Sequence, residues 1–276
     1  MSVKVGIMQG RLSNPIHKAI QAFPEETWKN EFKLAKKIGF DSIEWIFDTY
    51  EKNPIMEKKF DEINFLISEF NVKVNSIIAD YFMVNKLFNE PESKIKKNIQ
   101  TLKELVRNCE KIGIKIIEIP LVDRSSIKSE EHKKQIVKNL EEVLPEMTDL
   151  GLNLTLETDL PPNEFRDFLE MFDKNEVFAN YDTGNSASLD FDVNEEIEIL
   201  KDKIKNIHLK DRIKNGGTVP FGSGNTNFDD FFAMIKKINY SGELIIQGAR
   251  VHEITPEENC NKYLNFVKQY LHKYYQ

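Results

Sequence analysis

The sequence predicts a closed (β/α)8 barrel of parallel strands built as a single α/β domain. Three observations predict it. Short apolar, β-rich runs alternate with longer helical patterns from one end of the chain to the other. Eight such units can be counted, and strict βα alternation implies a parallel sheet with right-handed crossovers. Four of the later strands end on metal-ligand residue types, Glu157, Asp182, His208 and Gln247, at intervals of 25, 26 and 39 residues, about one strand-plus-helix unit each.

The strand candidates, in order, are Val3–Met8, Ser42–Ile46, Lys73–Ile78, Lys115–Ile119, Asn153–Leu156, Val177–Tyr181, Lys205–Leu209 and Glu243–Ile246. The helical patterns after them are Glu25–Ile38, Met56–Phe70, Pro91–Ile112, Glu130–Leu150, Asn163–Phe172, Asn194–Leu200, Phe228–Ile238 and Pro256–Tyr274. Each carries apolar residues at three- and four-residue spacing with Lys and Glu between them. Gly39, Gly113 and Gly151 each stand where a helix should end before a strand begins. No Ser-, Pro- or Gly-rich linker interrupts the pattern, so residues 1–276 form one domain. The longest irregular stretch, Lys210 to Asn227, contains Gly216-Gly217 and Gly222-Ser223-Gly224-Asn225. Following the seventh strand, it is expected to border a ligand and to move on binding.

Bulk properties narrow the function. A net charge of -7 argues against a general nucleic-acid binder. No apolar run approaches the ~18 residues that span a bilayer. The N-terminus resembles a first strand, not a signal peptide. Cys109 and Cys260 form no CxxC pair, as expected of reduced thiols in a cytoplasmic protein.

In a closed parallel barrel, side chains at the C-terminal strand ends converge on one mouth. Two carboxylates, an imidazole and an amide oxygen would face each other there, a set able to hold one divalent cation. For Gln247, ligation and plain hydrogen bonding beside the site both stay open. Arg11, Arg124, Arg212 and Arg250 also follow strands; Arg212 and Arg250 are expected to hold a phosphate or sugar carboxylate, and the others to pair with rim carboxylates. Glu44 and Glu118, read as ending the second and fourth strands, suit sugar hydroxyls, a proton carrier or rim ion pairs. Trp45 suits an apolar wall or the core. His132 and His272 lie in charged helical patterns, while His17 and His252 are loop residues.

Four pieces carry a resemblance over the whole length: Val5-Gly6-Ile7-Met8-Gln9-Gly10-Arg11-Leu12-Ser13; Ser42-Ile43-Glu44-Trp45; Tyr181-Asp182-Thr183-Gly184-Asn185; and Ile207-His208-Leu209-Lys210-Asp211-Arg212 with Val219-Pro220-Phe221-Gly222-Ser223-Gly224. With them the chain resembles the xylose-isomerase-like TIM-barrel superfamily, which includes sugar isomerases, ketose 3-epimerases, hexulose-phosphate epimerases and an apurinic endonuclease branch. The resemblance implies metal ligands on strands five to eight, here Glu157, Asp182, His208 and, departing from the expected Glu, Gln247. In the ketose epimerase branch the two glutamates also act as acid/base groups on opposite substrate faces. Gln247 cannot carry a proton. Asn185 stands where many such epimerases place a substrate-contacting histidine.

The function expected is a metal-dependent sugar or sugar-phosphate isomerase or epimerase working through an enediolate. Its cofactor would be one divalent ion (Mn, Mg, Co or Zn), with Glu157 as base and Asn185, Arg212, Arg250 and Glu118 at the substrate. A second proton carrier, where epimerisation needs one, would be Glu118 or Asp211. The partner is a small sugar or sugar phosphate, with no nucleic acid or membrane; a homo-oligomer is compatible with the sequence. A polyol or keto-sugar dehydratase or lyase, and a sugar-binding barrel without chemistry, are the alternatives. A phosphodiesterase needs more histidines than the single one found at a ligand position.

Overall fold

The computed structural model describes residues 3–16, 21–172 and 177–275. Eight parallel strands close into a barrel: β1 (Lys4–Met8), β2 (Ser42–Ile46), β3 (Ser76–Ile78), β4 (Ile116–Leu121), β5 (Asn153–Thr158), β6 (Val177–Asp182), β7 (Ile204–Leu209) and β8 (Glu243–Ile246). Each pairs with its neighbour in chain order, and β1 closes the ring on β8. The outer layer holds α1 (Trp28–Ile38), α2 (Phe60–Phe70), α3 (Glu92–Lys111), α4 (Glu130–Glu141), α5 (Pro162–Glu170), α6 (Val193–Leu200), α7 (Phe228–Lys237) and α8 (Pro256–Tyr274). Their apolar faces pack on the strands, burying residues such as Phe32, Ile63, Leu105, Ile136, Phe168, Ile197, Phe231 and Leu264.

Boundaries differ from the sequence pattern in instructive places. Gly39, Gly113 and Gly151 take left-handed φ values of 100°, 81° and 68°, as helix-ending residues do. The long pattern Glu130–Leu150 is two helices, because Pro145 opens the short helix Leu144–Asp149 and cannot accept a place inside a longer one. β4 runs to Leu121, two residues beyond its apolar pattern, so Glu118 stands in mid-strand. Trp45 is fully buried core; its indole N–H donates to Asn53 Oδ1 and its ring packs against Phe23 and Trp28.

One irregularity positions the site. The β6–β7 ladder pairs Ala179 with Ile204, then Asn180 with Asn206, so Lys205 is an extra residue. A one-residue offset decides which side chains stand together on a face. Here it aligns Asp182 with His208, both pointing into the barrel. An unbroken ladder would have set Asp182 beside Ile207. The bulge therefore puts the second carboxylate next to the imidazole.

Candidate active site

The barrel interior below the mouth is polar, where branched aliphatics would usually fill it. His208 lies at its centre and is completely buried. Its Nε2 faces Glu44 Oε2 at 2.6 Å and Glu118 Oε2 at 3.0 Å. Its Nδ1 faces Glu157 Oε2 at 3.5 Å and Asp182 Oδ2 at 4.0 Å. The ring thus has a structural edge toward β2 and β4 and a working edge toward β5 and β6. Burial alone would lower the imidazole pKa, but the Glu118 and Glu44 charges outweigh it and hold the pKa well above its ordinary value. An incoming cation at Nδ1 would replace a proton.

Glu157, Asp182 and His208 each offer a ligand atom, and these atoms lie within 4.8 Å of one another. Glu157 is held by two amides: Asn180 Nδ2 donates to Oε2 at 2.8 Å, and Asn185 Nδ2 donates to Oε1. Burial raises the Glu157 pKa, yet the His208 hydrogen bond and the Lys210 charge bring it down to about 2, so the group is a carboxylate at neutral pH. Asp182 caps the short helix Thr183–Ser188 through Oδ1, which accepts from Gly184 and Asn185 N–H. Its Oδ2 pairs with Lys210 Nζ at 2.6 Å. The strand-end carboxylate is therefore both cap and candidate ligand.

Gln247 follows β8, and its backbone N–H bonds Leu209 O at 2.9 Å, one residue past His208. Ile245 registers with His208, so Gln247, two residues on, continues the same inward face. Its Nε2 donates to Gln21 Oε1 at 2.8 Å. Among the described residues its Oε1 is buried without a hydrogen-bond partner. A buried, orphaned carbonyl oxygen beside an O, O, N triad is what a fourth ligand to a divalent cation requires. The residues present fit such an ion.

Other expected site residues fall in different places. Arg212 lies at the mouth: Nη1 donates to Asn185 Oδ1 at 2.7 Å, while Nε and Nη2 donate to Gly216 O. It thus reaches Glu157 through one amide. Glu118 does not reach the mouth. Completely buried at the foot of the imidazole, it cannot meet sugar hydroxyls or carry a substrate proton, and burial pushes its pKa well up. Glu44 sits there too, completely buried; Asn206 Nδ2 donates to its Oε1 at 2.8 Å. Arg250 fastens the first loop, its Nη2 donating to Gly10 O at 2.7 Å and its Nη1 to Ser13 O at 2.8 Å. His252 and His272 are exposed, Arg124 is exposed, and His17 lies outside the described residues.

The loop after β7 is anchored, not free. Residues Asp211–Arg212 and Thr218–Val219 form a small antiparallel ladder. The Asp211 carboxylate accepts from the backbone N–H groups of Gly222, Gly224 and Thr226 at 2.8, 2.9 and 3.1 Å. A side chain at position 224 would collide with that carboxylate and with Arg212 O, so glycine is needed there. With three donors on it, Asp211 is a loop clamp and not a proton carrier. Asp211→Ala should strip hydrogen-exchange protection from the amides of Gly222, Gly224 and Thr226 and cost at least about 2 kcal/mol of stability. Unchanged protection at these three amides would remove the clamp.

Four contributors escaped the sequence pattern. Asn180 and Asn206 stand two residues before Asp182 and His208 on the same strand faces, a period-two signal that could have revealed them. Lys210 and Gln21 lie in loops, where no periodicity marks a side chain as inward.

A polar barrel mouth with a carboxylate, carboxylate and imidazole triad on β5, β6 and β7 defines a class, and comparison with known proteins gives the same one. The chain belongs to the xylose isomerase-like TIM barrel family, whose profile matches residues 32–270. Among curated proteins it is similar to L-ribulose-5-phosphate 3-epimerase UlaE of Escherichia coli (strain K12), 23% identical over 243 residues, covering 80% of this chain and 82% of that one. Among solved structures it resembles L-ribulose 3-epimerase, with a TM-score of 0.79 at 15% identity over 98% of this chain and 95% of the other. It also resembles the IOLI protein with a bound zinc atom, with a TM-score of 0.75 at 20% identity over 99% of both chains. Among the described residues no helix is long and apolar enough to cross a membrane.

Proposed function

We propose that the protein is a metal-dependent 3-epimerase of ketoses or ketose phosphates, with ketopentose 5-phosphates the first class to test. The observation that carries this is the Glu157 carboxylate, ionised, fixed by Asn180 and Asn185, and within reach of the same point as Asp182 and His208. Removing a proton from the carbon next to a carbonyl leaves an enediolate, and the barrier lies in its negative charge. Glu157, Asp182, His208 and Gln247 would hold a divalent ion, which when bound supplies positive charge beside the substrate's carbonyl and hydroxyl oxygens.

The chain's own residues then divide the work. Glu157 is the base: it sits on a strand, and two amide donors fix its direction, so little reorganisation accompanies proton removal. His208 is oriented by Glu44, which receives Nε2–H and leaves Nδ1 toward the ligand group. Asn185 links Glu157 to Arg212, whose guanidinium, partly open to solvent, suits the anionic end of a sugar phosphate. The similarity to a relative named for a ribulose 5-phosphate supports that substrate class.

The test is a panel of ketoses and ketose phosphates in deuterated water with Mn2+, Mg2+, Co2+ or Zn2+. The expected result is metal-dependent deuterium incorporation at C3 together with the C3 epimer. Release of water from a polyol or keto sugar without epimer would instead establish dehydratase chemistry. Sugar binding without exchange would establish a non-catalytic barrel.

A further inference from the structure

The family pattern implies two glutamates, and this chain has one. An epimerase must remove a proton from one face of a carbon and return a proton to the other. With Gln247 unable to carry one and Glu118 sealed beneath His208, a second carrier has to come from elsewhere at the mouth.

Asp80 is placed for it. It stands two residues beyond Ile78, whose register partner is Glu118, at the C-terminal end of β3. β3 lies across the ring from β7, which carries His208, and two strands from β5, which carries Glu157. Asp80 precedes the short helix Tyr81–Val84, yet its carboxylate makes no capping bond there. Instead Oδ2 accepts from Gln21 Nε2 at 2.7 Å. The same Gln21 amide accepts from Gln247 Nε2 at 2.8 Å. One amide group and two hydrogen bonds therefore separate Asp80 from the strand-eight position where the missing carboxylate belongs. Among the described residues Asp80 forms no ion pair, and it is partly open to solvent.

We propose that Asp80 is the second proton carrier of this enzyme, with Gln21 fixing its carboxylate relative to Gln247. The proposal rests on the epimerase reading above. In the forward step the Glu157 carboxylate takes the proton from the carbon beside the carbonyl, and the C–H electron pair enters the enediolate. Protonated Asp80 gives its proton to the opposite face of that carbon. A new C–H bond forms, the carbonyl returns, and Asp80 is left as a carboxylate. Both groups then exchange with water, and the reverse reaction swaps their roles. Burial, opposed by the Gln21 hydrogen bond and joined by the Asp48 and Glu157 charges, raises the Asp80 carboxyl to about 6, in the range where both protonation states are accessible near neutrality.

Asp80→Asn is nearly isosteric and separates the two halves of the reaction. With the metal-loaded variant and the substrate found for the parent, epimer formation should fall by about 10²–10⁴-fold. Metal stoichiometry by elemental analysis should be unchanged, and deuterium should still enter recovered substrate, because Glu157 is intact. Asp80→Glu should recover part of the epimerisation. Parental epimerisation by Asp80→Asn overturns the proposal, as does loss of exchange in step with epimerisation. A measurement on the unmodified enzyme covers the case of a variant that does not fold. In early turnovers in deuterated water the product epimer should carry solvent deuterium; an epimer that keeps the substrate's own hydrogen overturns the two-carrier arrangement. If the parent yields neither exchange nor epimer with any substrate of the panel, the epimerase reading fails and this proposal with it.

Discussion

Glu157→Gln should abolish solvent exchange and epimerisation together, by about 10²–10⁴-fold in kcat, and weaken the divalent ion as well. The two losses have one origin. Glu157 both takes the proton from carbon and lends charge to the cation, whereas Asp182, the other carboxylate of the triad, already accepts from two backbone N–H groups and pairs with Lys210. In the amide, one oxygen still accepts from Asn180 or Asn185, but the nitrogen meets the other donor head-on, because both partners present Nδ2 to Glu157. A pair of donors facing each other in a buried site costs more than a missing bond. The variant should therefore also melt lower than the parent. Substrate titration separates the effects, since Asn185 and Arg212 remain and ligand affinity should change much less than turnover. Retention of exchange near the parental rate would remove Glu157 from the base role.

This site was legible in the sequence to the extent that it depends on strand ends. Glu157, Asp182 and His208 each close an apolar run, and a barrel brings such ends together whatever the helices between them do. What strand ends do not reveal is height along the barrel axis. Glu118 pairs with Thr155, two residues before Glu157, so it lies one pleat deeper than the residue it seemed to accompany. Tilt and stagger of the strands set that depth, and these arise from closure of the whole ring. The bulge at Lys205 is invisible for a related reason: an inserted residue shows only against its partner strand. Asp80 stands two residues past the short β3 and directly before the helix beginning at Tyr81, so no strand pattern marked its direction. Arg250 shows a contact that the sequence did not mark. Its place after a strand suggested an anion, and in the fold two of its nitrogens also donate to the carbonyls of Gly10 and Ser13 in the first loop.

Gln247→Glu should bind the divalent ion at least about tenfold more tightly than the parent, about 1.4 kcal/mol, because a carboxylate is a stronger ligand than an amide for a hard cation. The buried, unpartnered Oε1 is the atom that would gain the charge. The same change removes the nearer of the two donors that Gln21 Oε1 now accepts from, leaving Arg11 Nη2 at 3.4 Å. Gln21 cannot simply turn its amide over to supply the missing donor, since its Nε2 already holds Asp80. Without metal, the new carboxylate would therefore face an oxygen across 247–21 and add to the negative charge of Glu157 and Asp182. The metal-free variant should melt below the parent, and the ion should raise its Tm by more than it raises the parent's, because binding the native state alone stabilises it. Calorimetric titration and paired melting curves measure both halves. With a carboxylate restored on β8, epimerisation should also become less dependent on Asp80, so that Asp80→Asn costs less in the Gln247→Glu background than alone. Equal metal affinity in parent and variant would place the Gln247 oxygen outside the coordination set and leave Gln247 as the hydrogen-bond partner of Gln21 only.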